Sequence, residues 1–199
     1  MDICIYGGSF DPVHKGHIKI ALDAIDYFNF QKLIFMVSYE PPHKASHNVT
    51  FNHRYNMVNL AIKNYDNLEV TDIENNGSEL SYTYNSLKTL KEKYENDNLY
   101  FLVGSDIFAT IKTWYKYNEL FDLATFVVGL RHENSFDNMI NNIPNDIKNL
   151  INNKIKLFNM DAIDISSSKI RENIKKYLDY LPENVAEYII ENNLYKTLR

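Results

Sequence analysis

The chain has 199 residues but only one cysteine, six glycines and five prolines. Cys4 cannot form an internal disulfide, which points to a reducing compartment. Its place in the first apolar run reads as core packing, not as a catalytic thiol. With so little glycine and proline there is no linker and no low-complexity tail, and most of the chain should lie in regular elements. No apolar run is long enough to span a membrane, and Asp2 leads into the first strand with no basic leader before it. The expectation is a soluble cytoplasmic protein. A positive balance is also missing: the formal charge of −5 argues against a nucleic-acid binder, which would be basic overall. It leaves room for an anionic ligand held by positive groups gathered locally. With 45% hydrophobic residues, the chain can bury a core. Its length suits a single domain, 1–199, with a small C-terminal helical part from about 166 to 199.

What is present is an alternation of short apolar runs and amphipathic stretches. Ile3–Tyr6, Leu33–Val37, Leu68–Thr71, Leu99–Val103, Ala124–Gly129 and Ile155–Leu157 read as strands. Lys15–Phe28, Phe51–Asn64, Thr83–Tyr94, Ser167–Tyr177 and Pro182–Asn192 read as helices, and Phe136–Leu150 as a weak one broken near Pro144. Strand–helix repetition predicts an α/β fold, a parallel sheet with helices on both faces. Ligands of such sheets bind at the carboxyl ends of the strands, where the strand order reverses. Five polar clusters follow successive strands: Gly7-Gly8-Ser9, Pro41–Lys44, Gly104-Ser105-Asp106, Arg131, and Ser166–Ser168.

The first of these clusters opens the run Gly7-Gly8-Ser9-Phe10-Asp11-Pro12-Val13-His14-Lys15-Gly16-His17. Glycines let backbone N–H groups approach an anion. A helix start adds orphan donors and a positive dipole end. His14 and His17 fall one turn apart on one face, near enough to touch one nucleotide. The spacing is neither the dinucleotide fingerprint nor the P-loop. Each feature also has a plainer reading. Glycine is common in strand-to-helix turns for steric reasons, Lys44 could be a solvated loop lysine, and Ser166–Ser168 could only cap a helix. Arg171 could pair with a carboxylate, Asp106 could be an N-cap, and Trp114 could be core.

The segment from Gly7 to His17 resembles the signature of the nucleotidylyltransferase superfamily, His-x-Gly-His. Ile165-Ser166-Ser167-Ser168-Lys169-Ile170-Arg171 resembles its second motif. Within the superfamily the chain is similar to the bacterial-type nicotinate-nucleotide adenylyltransferases. The likeness includes Pro41-Pro42-His43-Lys44, Arg54 with Met57 and Leu60-Ala61, Ser81-Tyr82-Thr83 with Leu87, and Gly104-Ser105-Asp106 with Trp114-Tyr115. It runs over nearly the whole chain. Two departures are visible: Arg131-His132-Glu133 stands where Arg-Pro-Gly is usual, and Ser168 where threonine is common.

The resemblance implies a Rossmann-like sheet and the reaction of ATP with nicotinate mononucleotide, giving nicotinate adenine dinucleotide and pyrophosphate. Mg²⁺ would be carried mainly by ATP. His14 and His17 would donate to the α-phosphate. Lys44 and Arg171 would hold the β/γ-phosphates and the departing pyrophosphate, and Ser167 and Ser168 would add donors. Gly7, Gly8, Ser9, Phe10, Gly104, Asp106, Arg131 and Ile165 would line the ATP site, with Asp106 accepting from ribose hydroxyls. The mononucleotide would meet Ser9, Lys44 and Asp106. Its ring would stack on Trp114 and Tyr115, and its carboxylate would bind backbone amides near Thr83 and Tyr115. The implied partners are these small molecules, with no nucleic acid and no membrane, and the protein would be a monomer or homodimer. Other readings are an adenylyltransferase for nicotinamide mononucleotide or another acceptor, and a non-catalytic nucleotide sensor of the same fold. A class I tRNA synthetase shares the histidine and serine motifs, but the chain is short for one.

Overall fold

The computed structural model describes residues 1–39, 49–75, 82–130, 135–161 and 163–195. Lys44 with Pro41, Pro42 and His43, then Ser81, and then Arg131 with His132 and Glu133 lie outside the described residues.

Among the described residues the strands are β1 (Asp2–Gly8), β2 (Lys32–Val37), β3 (Leu68–Thr71), β4 (Asn98–Gly104), β5 (Thr125–Leu130) and β6 (Ile155–Asn159). The helices are α1 (Lys15–Phe28), α2 (Phe51–Ile62), α3 (Thr83–Lys93), α4 (Ser105–Phe108), α5 (Tyr117–Leu123), α6 (Ser135–Asn142), α7 (Asn145–Lys148), α8 (Ser167–Glu172) and α9 (Glu183–Glu191). The strands form one all-parallel, Rossmann-like sheet in the order β3-β2-β1-β4-β5-β6.

Strand alternation sends side chains to two layers. Cys4 and Tyr6 of β1 join Leu33 and Phe35 of β2 under α1, α2 and α9. Ile3 and Ile5 join Ile34, Phe101 and Phe126 under α3, α5, α6 and α7. On this second face the fully buried Phe126 lies 5.4 Å from the Phe101 ring, 5.7 Å from Phe108 and 4.9 Å from Phe121. Truncating such a residue to alanine costs about 3–5 kcal/mol. Because both faces are covered, the strands read as continuous apolar runs, and Cys4 is fully buried. Burial pushes its thiol up, well above the ordinary value, so the thiol stays protonated and inert.

Boundaries differ from the sequence reading in a few places. α2 ends at Ile62, two residues early. The stretch expected as one helix over Ser167–Tyr177 breaks at Asn173, whose side chain accepts from the Lys176 N–H and starts a separate 3₁₀ stretch, Ile174–Tyr180. The short helices α4 and α5 have no apolar period long enough to read. The topology positions the site: β1 and β4 are neighbours. The chain leaves β1 for a helix on one face and β4 for elements on the other, so a crevice opens beyond Gly8 and Gly104, where α/β sheets bind ligands.

Candidate active site

The turn from β1 to α1 builds one wall. Phe10 takes φ 48°, a left-handed backbone that costs a residue with a Cβ. Its ring is buried against Tyr6 and Phe35, at 5.5 and 5.3 Å. A Cβ on Gly8 would come within 2.8 Å of that ring, which is why this position is glycine. The steric reading of the turn glycines therefore holds at Gly8, beside any role in phosphate approach.

His14 is the N-cap of α1, with extended backbone at φ −143°. It is buried, His17 is half-buried, and their rings stack at 3.7 Å and 25°. The His14 backbone N–H donates to Nδ1 of His17 at 3.2 Å. An accepting Nδ1 fixes the tautomer of the neutral ring, with the His17 proton on Nε2. Phe10 closes edge-on against His17 at 5.1 Å.

The C-terminal motif meets this wall. Ser166 caps α8 by accepting from the Lys169 N–H at 3.2 Å. Capping is thus one residue's role, and the next two serines act elsewhere. Ser167 Oγ donates to the Pro12 carbonyl at 2.9 Å. Arg171 donates from Nη1 to the Asp11 carbonyl at 2.6 Å and from Nη2 to Ser168 Oγ at 3.1 Å. Ile165 is buried against Gly16, where a Cβ would stand 3.3 Å from Ile165 Cγ2. His14, His17, Ile165, Ser167, Ser168 and Arg171 are therefore brought together from opposite ends of the chain.

The other wall lies beyond β4. Gly104 is the N-cap of α4, so Asp106 is an exposed residue of its first turn, not the cap. Trp114 is half-buried, edge-on to Phe101 at 6.2 Å, with Nε1 donating to Thr110 Oγ1 at 3.3 Å. It has both an inner contact and an outer face. Tyr115 is 48% exposed, yet its ring meets Tyr82 at 4.9 Å and Tyr84 at 5.9 Å. These two residues flank Thr83, so the start of α3 and the 114–115 segment come together. Thr83 is the first residue of α3, and its N–H has no intrahelical acceptor.

Sequence reasoning gave no structural role to two buried charges. Arg54 is 1% exposed and donates from Nη1 to the Ser9 and Ser38 carbonyls, at 2.9 and 2.7 Å, and from Nη2 to that of Tyr39, at 3.1 Å. It ties the turns after β1 and β2 together. Glu74, 5% exposed, accepts from the Tyr39 N–H at 3.2 Å and from Ser86 Oγ at 2.8 Å. Tyr39 is thus gripped through both of its peptide groups. One signal was available for Arg54: it stands three, four and seven residues before Met57, Val58 and Ala61, on the buried face of α2. Glu74, in a polar stretch, had none.

Comparison with known proteins agrees with this architecture. Residues 5–173 match the family described as cytidylyltransferase-like. A probable nicotinate-nucleotide adenylyltransferase of Clostridium botulinum (strain Okra / Type B1) is 38% identical over 198 residues, covering 96% of this chain and 98% of its own. One of Clostridium novyi (strain NT) is 38% identical over 196 residues, with the same coverage. Among solved structures, Plasmodium falciparum nicotinic acid mononucleotide adenylyltransferase complexed with NaAD superposes with TM-score 0.77 at 28% identity, covering 98% of this chain and 97% of that one. The same enzyme complexed with APC gives 0.74 at 30%, covering 98% and 96%. No helix among the described residues is long and apolar enough to cross a membrane.

Proposed function

Since the chain belongs to the cytidylyltransferase-like family, and within it to the nicotinate-nucleotide adenylyltransferases, we propose that it transfers AMP from ATP to nicotinate mononucleotide. The products are nicotinate adenine dinucleotide and pyrophosphate, a step in NAD biosynthesis. The observation that carries this reading is the Arg171–Asp11 contact of 2.6 Å, which ties a guanidinium of the second motif to the turn that leads into the two imidazoles of the first.

The attacking group is a phosphate oxygen, already anionic, so no general base is needed. It forms a bond to the α-phosphorus as the bond from that phosphorus to the bridging oxygen of pyrophosphate breaks. The barrier is the approach of one anion to another, and catalysis is alignment plus charge stabilisation. His17 suits the task because its Nδ1 already accepts from the His14 N–H, leaving Nε2–H as a donor for the α-phosphate. His14, stacked on it, works beside it. Arg171 has further N–H donors in its fork for the β/γ-phosphates, and Lys44 adds a point charge. Ser168 accepts from Arg171 and keeps its own hydroxyl proton to donate. Ser167 spends its proton on Pro12 and offers its backbone N–H.

On the acceptor side, Trp114 and Tyr115 give faces for the pyridine ring. The Thr83 N–H, with the amide of Tyr115, would take the ring carboxylate. Asp106, exposed in the first turn of α4, suits ribose hydroxyls, and Gly104, Arg131, Gly7, Gly8 and Ser9 complete the nucleotide contacts. The donors gathered here are imidazoles, a guanidinium, hydroxyls and amides. That set fits phosphate rather than a bare divalent cation, so Mg²⁺ would arrive on the triphosphate and supply neutralisation of its oxygens. A cytoplasmic location, a single domain and a monomeric or homodimeric state belong to the same proposal.

The test is mass-spectrometric identification of the product from ATP and a panel of mononucleotides, followed by kcat/KM for the acid and the amide. The expected result is a nicotinate dinucleotide, with the acid preferred at least about tenfold, equivalent to about 1.4 kcal/mol. Equal constants would remove the substrate assignment. No dinucleotide from any acceptor at high enzyme concentration would favour a nucleotide sensor.

A further inference from the structure

The carboxylate of Asp11 has no task in the phosphate chemistry above. It is 4% exposed, inside the turn that leads from β1 to His14. The last described residue of the chain reaches it: the Tyr195 hydroxyl donates to Asp11 Oδ1 at 2.6 Å across 184 positions. Tyr195 is itself buried, 9% exposed. Burial, and then the Asp11 charge, push its phenol far above the ordinary value, so it remains a donor.

Among the described residues this contact stands with three others. Arg171 Nη1 donates to the Asp11 carbonyl at 2.6 Å, Ser167 Oγ to the Pro12 carbonyl at 2.9 Å, and Lys15 Nζ to the Asp179 carbonyl at 2.7 Å. Backbone and side-chain groups of residues 11–15 are thus fastened to the segment 167–195. The turn begins at Phe10 with φ 48°, a conformation that persists only where the surroundings over-determine it. Its far end is the stacked imidazole pair. Arg171 and Ser167 belong to the second nucleotide motif and Asp11 lies within the first, where its carboxylate was given no contact with nucleotide, while Tyr195 lies in neither.

We propose that Tyr195 is a positioning residue. Through Asp11 it holds the turn that sets His14 and His17, so the end of the chain is a working part of the active site. Only the kinetic arm of its test rests on the adenylyltransferase reading.

The experiment compares the full chain with Tyr195→Phe, Asp11→Asn and the double variant. The imidazole ¹H–¹⁵N signals are recorded without substrate, and kcat and KM are measured with ATP and nicotinate mononucleotide. For Tyr195→Phe the expected result is a folded protein whose histidine ring signals have moved. Its kcat should be about tenfold lower with KM for ATP within about twofold, a split that general loosening of the fold would not produce. Asp11→Asn keeps an acceptor for the Tyr195 hydroxyl and removes only the charge, so it should give the same split at smaller amplitude, with kcat about threefold lower. The double variant should lose no more than the worse single, as two ends of one bond must. Unmoved ring signals, a kcat within about twofold of the parent, or additive losses would overturn the proposal. If Tyr195→Phe fails to fold, Asp11→Asn carries the same readouts with its volume and an acceptor oxygen kept. A parent chain without turnover would overturn the adenylyltransferase reading instead, and the ring signals would then decide the positioning role alone.

Discussion

Gly16→Ala sets a local preference against a tertiary contact. Gly16 is the second residue of α1 and is buried. Inside a helix, replacing glycine with alanine is worth about 0.5–1 kcal/mol of added stability. The structure reverses that sign. A Cβ at position 16 would stand 3.0 Å from His14 Nδ1, 3.1 Å from His14 Cε1 and 3.3 Å from Ile165 Cγ2, so each must retreat by a few tenths of an ångström. Neither is a loose end. The His14 ring is stacked at 3.7 Å on His17, and Ile165 is 7% exposed in the core. Overpacking of this kind costs about 1–3 kcal/mol. The net loss then lies between about 0 and 2.5 kcal/mol, and at its middle, about 1.2 kcal/mol, Tm should fall by roughly 2–5 °C for a chain of this size. Activity should suffer more. A misplacement of about 1 Å can cost about 10²-fold, so a displacement of a few tenths should lower kcat/KM about tenfold. Circular-dichroism melts and a pyrophosphate-release assay on the folded variant measure the two effects separately. If the variant is more stable than the parent and its kcat/KM lies within about threefold, the His14 ring is not locked as argued.

Other outcomes follow from the same geometry. His17→Ala should fold normally and lower kcat by about 10²–10³ with a smaller change in KM; activity within a fewfold of the parent would remove His17 as the transition-state donor. Cys4 and Tyr195 both titrate higher in the folded state than in the unfolded chain. Above about pH 9 for the thiol and about pH 10 for the phenol, the unfolded chain releases a proton that the folded one keeps. Stability should therefore be complete below these values and fall as pH rises, by up to about 1.4 kcal/mol per pH unit for each group. Urea melts between about pH 8 and 11 should show the slope, and Cys4→Ala and Tyr195→Phe should each flatten it; unchanged slopes would refute the assignment.

Much of this site could be read from the residues. The histidine pair, the serine motif and Arg171 carry their chemistry in local patterns. Local chain preference also seats most of them at element ends, where capping residues and orphan backbone groups occur. Arg54 could have been found from its place on the apolar face of α2. Glu74 and the Asp11–Tyr195 bond could not. Glu74 sits in a polar stretch with no periodicity, and its burial depends on Tyr39 and Ser86 arriving from other elements. The steric reading of the turn glycines holds at Gly8, where the missing Cβ makes room for Phe10.

The amino-acid order alone determined the six strands and the longer helices, that the strands run parallel, and that Gly7-Gly8-Ser9 and Gly104-Ser105-Asp106 lie at one edge of the sheet. Those follow from side-chain periodicity and from the single hand of strand–helix–strand crossovers, both short-range physics. Tertiary structure decided that β1 lies between β2 and β4, which opens the crevice. It also decided which charges are buried and that the final tyrosine closes on the eleventh residue. Contacts across 184 positions are set by the path of the whole chain through a shared core, and no local repeat encodes them.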